Sequence, residues 1–284
     1  LSIGGQRLDA RGLIETMAKP PANAGEAQSG GNDRLTVDLN IQEAQLGSGP
    51  PLNTVRGSVL LEGDRLQAAM LGAQTEGGGQ IAVEIKPDGR AALSASDAGA
   101  LLVALGVTER LDSGALQLNA NIPPGPGAIA GTMQLRGGVL REAPFLMRLL
   151  SGDSINPPAI AKSWEVDLME TQFALNRGIL SFEEGQIAGG ELGATFRGWI
   201  DLNRDLVDMS GAIVPAYSVN RVLRAIPLLG DVLTGGEGLF AANYRATGPL
   251  AKPDFKINPL TALAPGLLRK LFGNTASRPP TGTQ

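Results

Sequence analysis

The sequence contains no cysteine and no histidine, and only 4% of its residues are aromatic. Histidine is the usual general base and metal ligand near neutral pH, and cysteine supplies the reactive thiolate. Their absence excludes thiol chemistry, Ser–His catalysis and the zinc sites built from these residues. We therefore expect a non-enzymatic protein that carries no metal and no cofactor.

The sequence also lacks a large excess of positive or negative charge. The 24 Lys and Arg residues face 28 Asp and Glu residues, so the formal net charge is −4, and no basic block is present. Nucleic-acid binding requires neutralisation of phosphates, so nucleic acid is excluded as a partner. No apolar run reaches the roughly 18 residues that a membrane-spanning helix needs. The chain opens with Leu1 in a segment that alternates like a strand, so we expect a fragment, and any signal peptide or membrane anchor would lie upstream of it.

What is abundant is glycine and apolar alternation. The 39 Gly and 19 Pro residues suit a protein with many turns. Period-two alternation predicts about 15 strands separated by turn signals such as Pro87-Asp88-Gly89 and Gly189-Gly190. The clearest alternating sets are Leu35, Val37, Leu39 and Ile41; Ile81, Val83 and Ile85; Ala91, Leu93 and Ala95; and Ala194, Phe196, Gly198 and Ile200.

Short helices interrupt this pattern. Asp97 is an N-cap candidate for a helix over 98–105 that ends at Gly106, and further helices are expected after Pro144, over 219–226 and over 260–272. Residues 18–33 have the composition of a mobile loop, and residues 273–284 that of a disordered tail. We expect residues 1–272 to form one domain.

The expected C-terminal helix carries a continuous apolar stripe at i, i+3, i+4 and i+7 spacing. It either packs over the end of the sheet or lies on a membrane or a partner protein. The larger side chains of the stripe are Leu260, Leu263, Leu267, Leu268, Leu271 and Phe272.

The last third of the chain carries a series of segments whose order is specific. This region resembles the C-terminal region of the AsmA-like family, the AsmA, TamB and YhdP group of bridge-like lipid-transport proteins. The segments that carry the resemblance are Gly198-Trp199-Ile200-Asp201-Leu202, Ile213-Val214-Pro215-Ala216-Tyr217, Ile226-Pro227-Leu228-Leu229-Gly230, Gly235-Gly236-Glu237-Gly238-Leu239-Phe240, Tyr244-Arg245-Ala246-Thr247-Gly248-Pro249-Leu250 and Asn258-Pro259-Leu260.

The resemblance implies a long, open, twisted and mostly antiparallel sheet, folded like a taco around an apolar groove and capped by short helices. It also implies a periplasmic location, in a chain anchored in the inner membrane by a segment upstream of this one. The implied function is carriage of phospholipid between the inner and outer membranes of a Gram-negative bacterium. Phospholipid acyl chains, a membrane surface, and an outer-membrane or periplasmic protein are then the expected partners.

Within this framework the alternating apolar residues of the last third are candidate groove-lining residues. Small residues such as Ala194 and Ala242 would leave space for an acyl chain, although the larger ones could equally form the core of an ordinary two-layer sandwich. The expected lining is Leu192, Ala194, Phe196, Ile200, Phe240, Ala242 and Tyr244.

Three other functions compete with lipid carriage. A scaffold for outer-membrane protein assembly would use exposed strand edges, and a secreted β-solenoid adhesin would lack a membrane anchor. A carboxylate enzyme would need a compact pocket with perturbed acids, for which Glu183, Glu184, Asp201 and Asp205 are the candidates. Because these acids lie beside predicted turns, we expect them to be solvated loop residues.

Overall fold

The computed structural model describes residues 1–12, 33–63, 65–125, 127–141, 163–190, 192–215 and 242–258. This part of the chain consists mainly of β-strands, with a short helix α1 (Ala98–Ala104). The strands are β1 (Ser2–Asp9), β2 (Arg34–Gln45), β3 (Leu52–Glu62), β4 (Arg65–Gln74), β5 (Gln80–Ile85), β6 (Arg90–Ala95), β7 (Leu111–Asp112), β8 (Ala115–Asn121), β9 (Ile129–Arg136), β10 (Val139–Arg141), β11 (Ser163–Glu165), β12 (Leu168–Asn176), β13 (Ile179–Gly189), β14 (Leu192–Asp201), β15 (Leu206–Pro215), β16 (Ala242–Pro249) and β17 (Asp254–Asn258).

Fourteen strands form one mixed sheet in the order β1-β2-β3-β4-β5-β6-β8-β9-β12-β13-β14-β15-β16-β17, and β7, β10 and β11 form a small second sheet. Strand β1 runs parallel to β2. The pairings from β2 to β9 and from β13 to β17 are antiparallel. The prediction of a mainly β fold with mostly antiparallel strands is confirmed.

The chain divides into two compact units. The first unit comprises Leu1–Val139 together with Ala174–Gly178, and the second comprises 140–173 and 179–284. The loop expected over 18–33 lies outside the described residues apart from Asp33, and so do the helices expected after Pro144, over 219–226 and over 260–272, and the tail over 273–284.

Helix α1 of the first unit begins and ends as its sequence predicts. The Asp97 carboxylate accepts a hydrogen bond from the backbone N–H of Ala100 at 2.9 Å, which is an N-cap. At the other end Gly106 has φ +71, and the N–H groups of Gly106 and Val107 donate to the carbonyls of Val103 and Leu102, both at 2.9 Å. These two bonds form a Schellman motif, which satisfies the last carbonyls of the helix.

In the second unit, Trp164 on β11 is the most deeply buried large side chain among the described residues, at 1% exposure. Its indole N–H donates to the carbonyl oxygen of Gly189, at the end of β13, at 2.8 Å. A glycine at position 189 lets the backbone of β11 lie this close to the end of β13, because a Cβ there would overlap the Glu165 carbonyl oxygen. A buried indole needs a hydrogen-bond partner, so the contact fixes β11 against the end of β13.

Gly57 in β3 is a glycine that the backbone requires. It lies opposite Leu39 on β2 and Leu71 on β4, with φ +145. A Cβ at this position would overlap the carbonyl oxygen of Met70. Because L-residues rarely adopt this conformation, glycine allows β3 to keep its pairing with both neighbours.

We predict that Gly57→Ala lowers the free energy of unfolding by about 2 kcal/mol, through backbone strain and the clash with Met70. The matched control is Gly72→Ala in the adjacent strand, where the nearest atom to a new Cβ is the Ile81 carbonyl oxygen at 3.9 Å. That control should change stability by no more than about 1 kcal/mol, because it relieves the entropy cost of glycine without strain. Urea unfolding of both variants is the measurement, and equal midpoints would contradict the assignment.

Candidate functional site

Antiparallel pairing aligns the alternating apolar residues of the first unit into rows that cross the sheet. Directly opposed residues in an antiparallel pair lie on the same face, and neighbours along a strand lie on opposite faces. A central row therefore runs unbroken over seven strands from β2 to β9. Its members are Leu39, Gly57, Leu71, Val83, Leu93, Leu118 and Met133.

Two further rows flank this one on the same face, and with it they define what we call the aliphatic face. Aromatic residues are absent from all three rows. On one side lie Val37, Val59, Ala69, Ile85, Ala91, Ala120 and Gly131. On the other side lie Ala73, Ile81, Ala95, Leu116 and Leu135.

The opposite face of the same strands is polar. The two rows that alternate with the aliphatic rows carry carboxylates, amides, hydroxyls and an arginine, interspersed with small residues and Met70. One row is Asp38, Ser58, Met70, Glu84, Ala92, Asn119 and Thr132, and the other is Asn40, Arg56, Gly72, Ala82, Ser94, Gln117 and Gln134. The first unit is thus a sheet with one continuous apolar side and one solvated side.

The aliphatic face is closed at one end and open in its centre. At the closed end, Leu101 and Ala104 of α1 pack with Leu52, Ala73, Ile81 and Ala95 in a buried cluster. In the central row, the six side chains that accompany Gly57 are half-buried and keep part of their surface accessible. No lining residue in this unit was expected from the sequence. The period-two signal of its strands was present, but the sequence did not show that the strands align it into rows.

The second unit presents an apolar face of different composition, which we call the aromatic face. Its rows again run across the strands, from β13 to β17. The three rows are Ile187, Ala194, Ile213 and Ala242; Phe182, Gly198, Met209, Ala246 and Phe255; and Leu180, Ile200, Val207 and Gly248. Two further pairs lie on the same face, Gly185 with Phe196 and Tyr244 with Ile257.

Aromatic rings on this face lie over glycines. The Phe196 ring occupies the space that a Cβ on Gly185 would fill, and Phe182 meets Phe196 edge-on at 5.7 Å between ring centroids. The Tyr244 ring lies beside Gly211, and its hydroxyl donates to the Thr195 carbonyl oxygen at 3.0 Å. Burial raises the pKa of Tyr244, so this hydroxyl stays protonated and keeps its role as a donor.

The structure places four of the expected lining residues together. Ala194, Phe196, Ile200 and Tyr244 all occupy the aromatic face, with Ala194 buried and the other three half-buried. The backbone register puts positions 192 and 242 on the same face. Phe240 lies outside the described residues, as does the expected stripe of Leu260, Leu263, Leu267, Leu268, Leu271 and Phe272.

The reverse side of the second unit carries charged and polar residues together with Trp199. One row contains Arg197, Ser210, Arg245 and Lys256. Arg245 is paired with Asp208 through two contacts, at 3.1 and 2.8 Å, in a bidentate geometry, and this pairing raises the pKa of Arg245. The second unit therefore repeats the two-sided character of the first.

The carboxylates singled out by sequence occupy turns and bulges. The expectation that all four acids are solvated loop residues is wrong for Asp201, which is buried at the end of β14 because its Oδ1 accepts from the backbone N–H groups of Asn203 and Arg204 at 2.9 and 3.1 Å. Glu183 and Glu184 are exposed at the register shift between β13 and β14, and Asp205 is exposed in the turn that follows. Among the described residues, no group of three or more acids is placed to hold a metal ion. The described helix is too short to cross a membrane.

We predict that Asp201 acts as a turn cap. Asp201→Asn keeps an acceptor oxygen for both N–H groups and should change the free energy of unfolding by less than about 0.5 kcal/mol, whereas Asp201→Ala should cost about 1–2 kcal/mol. Thermal unfolding of the two variants measures this difference. A loss of stability in Asp201→Asn as large as in Asp201→Ala would show that the charge, and not the acceptor, is what the site requires.

The candidate functional surfaces are thus the aliphatic face of the first unit and the aromatic face of the second. Comparison of the chain with protein-family models, with curated proteins and with solved structures finds no match.

Proposed function

We propose that this chain is a non-enzymatic lipid-binding segment that carries phospholipid between the inner and outer membranes of a Gram-negative bacterium. The observation that supports the proposal most directly is the unbroken apolar row across seven strands, backed by a polar reverse face. The sequence resemblance to the AsmA-like family is the basis for proposing a periplasmic location and phospholipid as the ligand.

The energetics of lipid movement require such a surface. Each methylene transferred from water into an apolar environment contributes about 0.8 kcal/mol, so an acyl chain of about 15 carbons would cost roughly 12 kcal/mol if exposed. A carrier must offset most of this cost along the whole path. With strands about 4.8 Å apart, the central row of seven residues alone is roughly 29 Å long.

The ordinary alternative for an apolar sheet face is a sandwich core covered by a second layer. In the described part of the first unit, α1 covers one end of the aliphatic face, while the central side chains Leu71, Val83, Leu93 and Leu118 are half-buried and keep a minor part of their surface accessible. A face that keeps this much apolar surface accessible favours a bound apolar ligand. An open, taco-like sheet folded around an apolar groove is the arrangement we propose for it.

A second candidate function is a scaffold for outer-membrane protein assembly. Strand β1 stands at one end of the strand order, and seven of its eight residues are exposed. An exposed edge strand can accept an added strand from another protein. The two proposals differ in one measurable respect, because a scaffold that works through β1 needs no lipid on the aliphatic or aromatic face.

We predict that phospholipid co-purifies with the chain and is lost from a variant that places charge on both apolar faces. Leu118→Lys with Ile200→Lys should lower the phospholipid recovered per mole of protein at least several-fold, because an ammonium group is poorly solvated by acyl chains. Mass spectrometry of an organic extract measures the recovery, and circular dichroism confirms the fold.

The matched control introduces the same two charges on the reverse faces, as Asn119→Lys with Thr247→Lys. Asn119 directly follows Leu118 on β8, and Thr247 pairs with Asp208 on β15, so both lie on the polar sides. This control should retain its lipid. Equal lipid content in the two folded variants, or no lipid in the wild-type chain, would refute lipid binding by these faces and favour the scaffold.

A further inference from the structure

The aliphatic face has two chemically different ends along the strand direction. At one end, Leu101 and Ala104 of α1 are buried, at 4% and 3% exposure, against the sheet. Helix α1 is also held by the backbone, because the N–H groups of Ala98 and Gly99 donate to the carbonyls of Gly114 and Ser113 at 2.6 and 3.1 Å. This end of the face is therefore a fixed apolar wall.

The other end is open and bordered by charge. Leu35 and Leu66, which extend the aliphatic face beyond its outer row, are 43% and 41% exposed. The strand ends and turns at this end of the face carry both signs of charge. Arg34 pairs with Glu62 at 3.2 Å across the ends of β2 and β3, Arg90 pairs with Asp88 at 2.6 Å, and Arg65 and Lys86 lie at the neighbouring ends of β4 and β5. Water and charged groups meet the apolar surface here.

The distance between the two ends is close to the length of an acyl chain. On β5 the face extends from Ile81, which contacts α1, to Ile85, which is four residues or about 13 Å. On β4 it extends from Ala73 to Leu66, which is seven residues or about 23 Å. One leaflet of a bilayer, which is about the length of one acyl chain, is roughly 15 Å thick.

We infer that the aliphatic face binds acyl chains laid along the strands, with the methyl end against α1 and the polar head at the charged turns. Helix α1 then sets the chain length that fits. The ligands are amphiphiles whose tails are roughly 14–18 carbons long, about the thickness of one leaflet. This inference rests on the proposed lipid binding and adds the orientation of the ligand and its length limit.

The orientation is tested on the whole chain with two photoreactive fatty acids of 16 carbons, one with a diazirine near the carboxyl group and one with it near the methyl end. Mass spectrometry locates the labelled residues. The methyl-end probe should label α1 and the row that contains Ala73, Ile81 and Leu116, and the carboxyl-end probe should label Leu35, Leu66 and residues 85–91. Identical labelling by the two probes, or the reverse pattern, would overturn the inference.

The length limit is tested by competition. Unlabelled fatty acids of 10 to 22 carbons compete with the methyl-end probe, and the label on 98–104 is the readout, so lipid bound in the second unit does not contribute. In Leu101→Ala the best competitor should become longer by about two to four carbons, because the wall recedes. In Ala91→Phe, whose ring shortens the free face at a half-buried position of the outer row, it should become shorter by a similar amount.

Val107→Ala is the matched control, since Val107 follows the helix and is 66% exposed. Its best competitor should be the same as that of the wild-type chain. If Leu101→Ala fails to fold, Ala91→Phe alone decides the question. Label that is competed equally by all chain lengths, or unchanged by a folded variant, would refute the length limit and leave lipid binding standing. Absence of any label on the folded wild-type chain would refute the proposed function itself.

Discussion

The two-sided character of this protein depends on strand register. Side chains alternate between the faces of a strand, so a slip of one residue would transfer a whole apolar set to the polar side. In the first unit this alignment is kept over six successive antiparallel pairings. Tight turns hold it in place. In the β4–β5 turn, the N–H of Thr75 donates to the Gly79 carbonyl at 2.8 Å, and the N–H of Gly79 donates to the Thr75 hydroxyl at 2.9 Å. The N–H of Gly78 donates to the Thr75 carbonyl at 2.9 Å.

Irregularities in the strands do not break this alignment. The register shift between Asn53 and Arg56 inserts an extra residue where Thr54 adopts φ +52, and the shift between Phe182 and Gly185 does the same on β13. A bulge bends a strand and increases its twist, while the residues beyond it resume their alternation. Gly57 contributes in another way, because a side chain at this position of β3 would overlap the carbonyl oxygen of Met70 on β4. Both units thus combine an uninterrupted apolar face with local bends of their strands.

Local signals in the sequence were sufficient to predict the longer alternating strands and α1, but not short strands such as β7 and β11. Alternation such as Ile81, Val83 and Ile85 is visible without a partner strand, and the Asp97 cap and Gly106 stop act within one helical turn. Pairing was not visible, because it joins residues that are distant in the chain. The parallel pairing of β1 with β2, the contact of Trp164 with Gly189 across 25 residues, and the rows of the aliphatic face all depend on it. For the same reason, the sequence predicted lining residues where a family resemblance pointed to them and missed the equivalent set in the first unit.

The composition of the two faces has a consequence for what each can hold. All aromatic residues of the chain lie at position 145 or later, so the aliphatic face is built from Leu, Ile, Val, Ala, Met and Gly. Branched and straight aliphatic side chains adapt to a flexible chain through many weak contacts, each worth about 0.1–0.2 kcal/mol per atom pair. On the aromatic face, the Phe196 and Tyr244 rings already fill the space above Gly185 and beside Gly211. An acyl chain there would contact rigid rings, whereas in the first unit it would contact side chains that can change rotamer. The first unit therefore offers adaptable contacts to an apolar ligand, and the second offers a preformed surface.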